Sequence, residues 1–165
     1  MKLSIIIPAY NEEKSIGSII KRALSAGPDI IKNTGVKSVE VIVVNDGSID
    51  NTKEIAQACG DIILISYDKN KGYGAAIKQG FDKAGGELLS FLDADGTCDP
   101  LLFIDLIKSL IKNNADIIIG SRFGSDSMMP KIRMLGNIVY ARIINFFANA
   151  RITDCSSGMR VLKRS

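Results

Sequence analysis

The chain of 165 residues contains no histidine and no tryptophan, and it has only three cysteines. Without histidine it lacks the commonest general base, the commonest transition-metal ligand and the Ser-His-Asp arrangement of many hydrolases. The cysteines, at positions 59, 98 and 155, fit neither a paired zinc-ligand pattern nor a disulfide framework, so reduced thiols are expected. Any proton transfer must therefore fall to carboxylates.

Long hydrophobic runs are also missing, and the positive charges are unevenly distributed. No uncharged apolar run reaches the roughly 18 residues that a membrane-spanning helix needs, so none is predicted. Residues 1–120 carry 13 Lys and Arg against 16 Asp and Glu, whereas residues 121–165 carry 8 against 2. This basic end predicts an anionic partner, either substrate phosphate groups or a membrane surface. Nucleic acid is not expected, because no Arg-rich run or aromatic and basic strip occurs.

The composition, 46% hydrophobic and 24% charged, predicts one compact domain that needs neither a metal nor a disulfide for stability. Short β-branched runs alternate with stretches of helical periodicity. Strands are predicted at Leu3–Pro8, Val39–Val44, Ile62–Tyr67, Leu88–Leu92 and Ala115–Gly120. Helices are predicted at Glu12–Ala26, Thr52–Ala58, Gly74–Ala84 and Pro100–Asn113. The alternation predicts an α/β fold with a mostly parallel sheet and a ligand crevice at the carboxyl ends of its strands.

The last quarter of the chain departs from this alternation. A long helix is predicted at Ile132–Ala148, then a short closing strand pair at Ile152–Cys155 and Val161–Leu162. Core packing and binding at a membrane surface would each explain the apolar face of the helix. The chain stops immediately after a motif, so we expect it to be a piece of a longer protein.

Two acidic residues, Asp93 and Asp95, follow the buried run Leu88–Leu92 at the predicted mouth of the crevice. Hard carboxylate oxygens suit Mg²⁺ or Mn²⁺, which one or two carboxylates hold together with phosphate oxygens of a substrate. The alternative is turn chemistry ahead of a helix, which Asp99 and Pro100 would start. We predict a site for a metal and a diphosphate, because a position at a strand end favours ligand binding.

Polar residues also follow the first two predicted strands. Asp46 could accept hydrogen bonds from a nucleobase or a ribose, or it could belong to a plain β-turn. Tyr10 could pack on a base or on the protein surface. The run Asn11–Glu13 is typical of a helix N-cap with acids in the first turn.

Cations and glycines supply candidate phosphate contacts. Lys71 and Gly74 lie near a helix start, where the backbone and a positive helix terminus can approach a phosphate. Beyond the fifth strand come Arg122, Lys131 and Arg133, which are either phosphate ligands or a solvated basic face. Asp154 is a candidate general base, or an ion-pair partner of a neighbouring arginine.

Five motifs occur in order: Ile7–Glu13, Val44–Asp50, Leu92–Thr97, Gly120–Phe123 and Asp154–Arg160. Together they resemble the family 2 glycosyltransferases of GT-A fold, in particular the branch that makes polyprenyl- or dolichyl-phosphate sugars. The resemblance covers essentially the whole chain and implies a Rossmann-like three-layer sandwich. It implies one catalytic domain over residues 1–165, with a nucleotide-binding part at about 1–96 and an acceptor-binding part at about 97–165.

The resemblance implies inverting transfer of a sugar from a UDP- or GDP-sugar to a polyprenyl phosphate, with Mg²⁺ or Mn²⁺ on the diphosphate. Asp93 and Asp95 would hold the metal. The expected catalytic residues are Asp95, Arg122 and Asp154. The acceptor phosphate would be bound by Arg122, Lys131 and Arg133. The expected nucleotide-sugar residues are Pro8, Ala9, Tyr10, Glu12, Asp46, Lys71, Gly74, Asp93 and Ala94.

Location and alternative functions complete these expectations. The implied lipid acceptor predicts a cytoplasmic protein that is peripheral on the cytoplasmic face of a membrane; the oligomeric state stays open. One alternative is a family 2 transferase acting on a sugar hydroxyl, where Asp154 would have to be a true base. Others are a non-catalytic nucleotide-sugar-binding module and a phospho-acceptor receiver module, although the receiver leaves the basic last 45 residues unexplained.

Overall fold

The computed structural model describes residues 1–120, 142–143, 145–146 and 158–164. The strands are β1 (Lys2–Ala9), β2 (Ser38–Asp46), β3 (Ile63–Tyr67), β4 (Leu88–Phe91), β5 (Ile117–Ile119) and β6 (Arg160–Lys163). The helices are α1 (Ile16–Thr34), α2 (Thr52–Ala58), α3 (Tyr73–Lys83) and α4 (Phe103–Lys112), and a 3₁₀ helix at Pro100–Leu102 leads into α4. Within these residues, no helix is both long and apolar enough to cross a bilayer.

The six strands form one sheet in the order β3-β2-β1-β4-β6-β5. The pairings of β1 with β2, β1 with β4 and β2 with β3 are parallel, whereas β6 runs antiparallel to both β4 and β5. The mostly parallel sheet is therefore confirmed. The strand order reverses beside β1, which has β2 on one side and β4 on the other. Such a switch point is where open α/β sheets leave a crevice for a ligand.

Helices cover both faces of the sheet. Leu3, Ile5 and Ile7 of β1 belong to the cluster that packs against α1, α2 and α4. Ile6 belongs to the opposite cluster, under α3. Successive side chains of a strand point to opposite faces, so the continuous apolar run of β1 lies in the middle of three layers. At Gly80 of α3 an added Cβ would stand 2.4 Å from Ile6 Cγ2, which shows how closely this helix approaches the sheet.

The amino-terminal edge of the sheet is closed by a polar cluster around Glu40. Its carboxylate accepts hydrogen bonds from Ser4 Oγ at 2.5 Å and from the Gly85 amide at 2.7 Å, and Lys2 Nζ lies 2.6 Å from its other oxygen. Burial alone would raise the pKa of Glu40, but the bonds from Lys2, Ser4 and Gly85 outweigh burial and lower the pKa. The cluster thus fixes the end of the sheet opposite the crevice.

The predicted start of the first helix is wrong, because α1 begins at Ile16 rather than at Glu12. Asn11 is not an N-cap: its φ of 56° is left-handed, and its Oδ1 accepts a hydrogen bond from the Ile49 amide at 3.0 Å. The first turn of α1 contains no acidic residue. The polar run Asn11–Glu13 instead connects the loop after β1 to the segment that follows β2 through hydrogen bonds.

The predicted end of the same helix at Ala26 is also wrong. α1 continues through Pro28 to Thr34 and ends at Gly35, whose φ is 79°. A proline inside a helix removes one backbone hydrogen bond. The helix continues because Ile30 is completely buried and keeps the apolar face on the sheet.

The carboxyl-terminal predictions are tested only in part. Val161–Leu162 does form a strand, within β6, but its partners are β4 and β5. Residues 142–143 and 145–146 are helical, and the rest of the predicted helix at Ile132–Ala148 lies outside the described residues, as does Ile152–Cys155. Cys59 and Cys98 form no disulfide with each other, and Cys155 lies outside the described residues.

Candidate active site

The carboxyl ends of three neighbouring strands bring the predicted site residues to one edge of the sheet. Ala9 at the end of β1 is in register with Asn45 of β2, and Ile6 is in register with Phe91 of β4. Tyr10, Asp46 and Asp93 therefore follow adjacent strands at the switch point. Parallel pairing alone produces this convergence, because all three strands run in the same direction.

The loop after β1 is tied to the loop after β2. The Glu12 amide donates to Thr52 Oγ1 at 2.8 Å, and the Glu12 carboxylate accepts from Ser15 Oγ at 2.6 Å. Glu12 therefore stabilises the base of the crevice and the turn that leads into α1. Its predicted contact with a nucleotide stays a prediction.

A small cavity of about 120 Å³ lies at the ends of β1 and β2. It is lined by Pro8, Ala9, Tyr10, Asp46, Asn70, Gly72, Tyr73 and Ala76. Asp46 is only 2% exposed, and its two oxygens accept hydrogen bonds from the amides of Lys71 at 2.9 Å and Gly72 at 2.8 Å. The Asp46 carboxylate therefore anchors the loop that leads into α3, which the sequence analysis did not foresee.

The same loop passes close to Gly47 and holds Lys71. Gly47 has a φ of 72°, and a Cβ there would stand 2.5 Å from the Asn70 nitrogen, so glycine is required on both counts. The Lys71 ammonium lies 3.7 Å from the centroid of the Tyr67 ring. This cation–π contact holds the ammonium of Lys71 over the ring at the end of β3. Gly74 lies in the first turn of α3, and a Cβ added there would meet open space.

A larger cavity of about 640 Å³ lies on the other side of Tyr73. Its lining residues are Tyr73, Gly74, Ile77, Phe91, Asp93, Gly158 and Arg160. The Tyr73 hydroxyl donates a hydrogen bond of 2.5 Å to Asp93 Oδ1. Burial, and then the hydrogen bond to Asp93, raise the pKa of Tyr73 well above its ordinary value. The Tyr73 hydroxyl therefore keeps its proton and remains a hydrogen-bond donor to this carboxylate throughout the physiological pH range.

The segment that enters β6 closes over the other side of Asp93. A Cβ at Gly158 would stand 2.0 Å from Asp93 Oδ2, so only glycine fits there without moving the carboxylate. The Arg160 guanidinium lies over the Phe91 ring, 5.5 Å from its centroid. Neither Tyr73 nor Arg160 is among the site residues predicted from the sequence. Their signals were a tyrosine between two glycines at the start of α3 and the arginine that ends the fifth motif.

The helix that follows β4 is capped by Asp99, whereas Asp95 lies in a separate turn. Asp99 accepts a hydrogen bond from the Leu101 amide at 3.1 Å, which confirms the predicted helix start. Asp95 is exposed, and its Oδ1 accepts from Thr97, at 2.9 Å from the amide and 2.8 Å from Oγ1. Asp95 therefore belongs to a local turn, and Asp93 and Asp95 do not cap the helix.

The donor set at the end of β4 fits a divalent cation shared with a substrate. No hydrogen bond within the described residues uses Oδ2 of Asp93 or Oδ2 of Asp95. The same residues contain no group of three or more acidic, cysteine or histidine side chains that could hold a metal. A magnesium ion bound through one or two carboxylates takes its other ligands from substrate phosphates and water. Ala94 between them is 4% exposed and packs in the core.

The other predicted site residues lie outside the described residues: Arg122, Lys131, Arg133 and Asp154. Their predicted roles stay predictions. The described part of the site thus contains the residues predicted for the nucleotide sugar and the metal, and none of those predicted for the acceptor phosphate.

Comparison with known proteins identifies the class to which this fold and site belong. Residues 4–165 match the family model of glycosyl transferase family 2, and the chain belongs to that family. A dolichyl-phosphate hexose transferase of Haloferax volcanii is 31% identical over 98% of this chain and 66% of its own length. The dolichol-phosphate mannosyltransferase of Pyrococcus furiosus is 36% identical over 87% of this chain and 41% of its own length. The chain therefore spans only part of these relatives.

A solved structure shows the same fold. Glucosyl-3-phosphoglycerate synthase of Mycobacterium tuberculosis, in complex with Mn²⁺, UDP and phosphoglyceric acid, superposes with a TM-score of 0.72 at 21% identity. The match covers 98% of this chain and 55% of that one. The family and the predicted α/β fold of GT-A type are thereby confirmed.

Proposed function

We propose that this chain is the catalytic domain of an inverting transferase that moves a sugar from a UDP- or GDP-sugar to a polyprenyl phosphate of the dolichyl type. Membership of glycosyl transferase family 2 supports sugar transfer. The names of the Haloferax and Pyrococcus relatives support a dolichyl phosphate acceptor. The observation that carries the proposal is the position of Asp93, at the switch point of the sheet and facing the larger cavity.

The diphosphate of the donor would lie between the two cavities. The small cavity, with the loop anchored by Asp46, would take the nucleoside, and Lys71 of that loop would supply a positive charge near the diphosphate. Asp93 and Asp95 would hold Mg²⁺ or Mn²⁺, with substrate phosphate oxygens and water as the remaining ligands. The ion, when bound, would neutralise charge that develops on the leaving diphosphate.

The proposed reaction needs little acid–base catalysis. An acceptor phosphate oxygen forms a bond to the anomeric carbon while the bond from that carbon to the diphosphate oxygen breaks, and the nucleoside diphosphate leaves with the electron pair. A phosphate acceptor is already ionised at neutral pH, so the absence of histidine is no handicap. Arg160 lines the same cavity as Asp93 and would be a further phosphate ligand, in addition to the predicted cations at 122, 131 and 133.

We also propose that the protein works at the cytoplasmic face of a membrane, because a polyprenyl chain stays in the bilayer and presents its phosphate at the surface. The charge of residues 121–165, 8 basic against 2 acidic, favours contact with anionic headgroups. Phe146 is 83% exposed, and an exposed aromatic side chain is suited to insert at the interface.

The test is a binding titration followed by a transfer assay. UDP- and GDP-sugars are titrated into the protein with and without Mn²⁺, and the bound donor is then offered a short polyprenyl phosphate or a sugar hydroxyl acceptor. We expect metal-dependent binding of one nucleotide sugar and transfer to the lipid phosphate that a chelator abolishes. Transfer to the hydroxyl acceptor alone would overturn the proposed acceptor. Metal-dependent binding without any transfer would indicate a non-catalytic module.

A pair of carboxylate variants tests the metal assignment. Asp95→Ala should abolish metal-dependent transfer and leave the fold unchanged by circular dichroism, because Asp95 is exposed and its hydrogen bonds within the described residues are to Thr97 in its own turn. Asp105→Ala is the matched control, since Asp105 is an exposed carboxylate on α4 that lines neither of the two cavities. Unchanged turnover of Asp95→Ala would refute the role of Asp95.

A further inference from the structure

Tyr73 stands between the two cavities and lines both of them. It is the first residue of α3, and the preceding amide, that of Gly72, donates to the buried Asp46 carboxylate at 2.8 Å. The backbone on which Tyr73 is mounted is therefore anchored to the end of β2. Tyr73 would therefore contact a ligand that occupied both cavities.

The Tyr73 ring is held in place by a second contact. It meets the Phe91 ring edge to face, with the centroids 6.4 Å apart and the planes at 83°. Phe91 is 8% exposed and belongs to the core cluster under α3. Edge-to-face packing of this kind is favourable and sets the direction of the ring. Packing of the ring on Phe91 therefore holds the hydroxyl against Asp93, although the Tyr73 side chain as a whole is 52% exposed.

The bond from the Tyr73 hydroxyl to Asp93 Oδ1, at 2.5 Å, leaves this oxygen able to accept further. A carboxylate oxygen has two lone-pair sites, so Oδ1 can accept from a hydroxyl and still contact a cation. Gly158 limits the carboxylate from the opposite side, because it lies against Oδ2. Asp93 thus lies between the Tyr73 hydroxyl and the Gly158 backbone, whereas Asp95 is exposed and, among the described residues, accepts hydrogen bonds from Thr97 alone.

We propose that Tyr73 is a positioning residue: its hydroxyl holds Asp93 in the orientation that binds the divalent cation of the nucleotide diphosphate. The inference rests on the proposed function, because it assumes that Asp93 is a metal ligand. Hydrogen bonds to ligating carboxylates fix their orientation, and their loss typically costs on the order of 10- to 100-fold in metal affinity or activity. Tyr73 acts through Asp93 and needs no contact with the reacting atoms.

The experiment compares Tyr73→Phe with the wild type in Mn²⁺ binding, measured by electron paramagnetic resonance of free Mn²⁺ in the presence of UDP or GDP. The substitution keeps the ring against Phe91 and removes only the hydroxyl. We expect Mn²⁺ affinity to fall on the order of 10- to 100-fold. Nucleotide affinity without Mn²⁺ should stay unchanged, and so should the thermal midpoint within a few degrees. In the transfer assay, excess Mn²⁺ should restore the rate.

Tyr67→Phe is the matched control, because it removes a tyrosine hydroxyl at the end of β3 and keeps the ring beneath Lys71. It should leave Mn²⁺ affinity unchanged. Equal Mn²⁺ affinity in wild type and Tyr73→Phe would overturn the inference and leave the proposed function standing. An equal loss of nucleotide affinity with and without Mn²⁺ would also overturn it, since Tyr73 would then contact the nucleotide itself. A wild-type protein that binds no Mn²⁺ with either nucleotide would overturn both proposals.

Discussion

Replacement of Gly80 by alanine tests how tightly α3 is packed on the sheet. An ideal Cβ at Gly80 would stand 2.4 Å from Ile6 Cγ2 and 2.7 Å from Ile6 Cγ1. Carbon atoms in contact prefer about 3.5–4.0 Å, so Ile6 or the helix must move by roughly 1 Å. Overpacking of a buried site costs about 1–3 kcal/mol, and Ile6 is 0% exposed, which favours the upper end. The better helix propensity of alanine returns about 1 kcal/mol, leaving a net loss of about 2 kcal/mol.

Urea unfolding followed by circular dichroism measures this loss. For a chain of this size it corresponds to a fall of about 4–8 °C in the thermal midpoint. Gly74→Ala is the matched control in the same helix: no atom lies within 4 Å of its Cβ position, so alanine should stabilise the protein by about 0.5–1 kcal/mol. In a double-mutant cycle, Ile6→Ala should relieve Gly80→Ala by about 1 kcal/mol or more. Equal effects at Gly74 and Gly80, or no coupling to Ile6, would refute the packing argument.

Two more predictions concern the opposite edges of the sheet. The pKa of Glu40 is lowered in the folded state, so its contribution is present above the unfolded value of about 4.5 and is lost as the pH falls through the lower folded pKa. Glu40→Gln should therefore cost about 1–3 kcal/mol at pH 7 and flatten the acid limb of a stability–pH curve; an unchanged acid limb would contradict this. Gly158→Ala should displace Asp93 and reduce metal-dependent transfer far more than it reduces stability. Gly120→Ala is the control: the nearest atom to its added Cβ would be 3.4 Å away, so transfer should change little. Equal transfer by both variants would show that the close approach of Gly158 to Asp93 does not matter.

The sheet and the first half of the site were predictable because they depend on local patterns. Short β-branched runs locate β1 to β4 within one or two residues of their observed bounds. Once these strands are parallel, Tyr10, Asp46 and Asp93 must meet at one edge. The polar residues directly after buried strands were therefore a reliable guide to the crevice.

The rest of the site depends on contacts between distant parts of the chain. Gly158 meets Asp93 only because β6 inserts antiparallel beside β4, and periodicity in the sequence carries no information on such a pairing. Tyr73 reaches Asp93 because α3 crosses from the end of β3 over β1 and β2. The sequence shows which side-chain types are present, but it does not show which residues they contact in the fold.

The ends of α1 show tertiary contacts overriding local preference. Asn11 has the chemistry of an N-cap, yet bonding to the loop after β2 takes it out of the helix. Pro28 predicts a helix end, yet burial of Ile30 carries the helix past it. In both places the favoured local structure loses to packing and hydrogen bonding that a single segment does not reveal.

The insertion of β6 between β4 and β5 sets the order in which the protein can mature during synthesis. While residues 160–163 are still inside the ribosome, β4 has one open edge and β5 has no partner among the described strands. Nascent chains at that stage would carry exposed sheet edges, which chaperones recognise and which favour misassociation. The same four residues include Arg160, which lines the larger cavity, so the pairing of β6 with β4 also completes this side of that cavity.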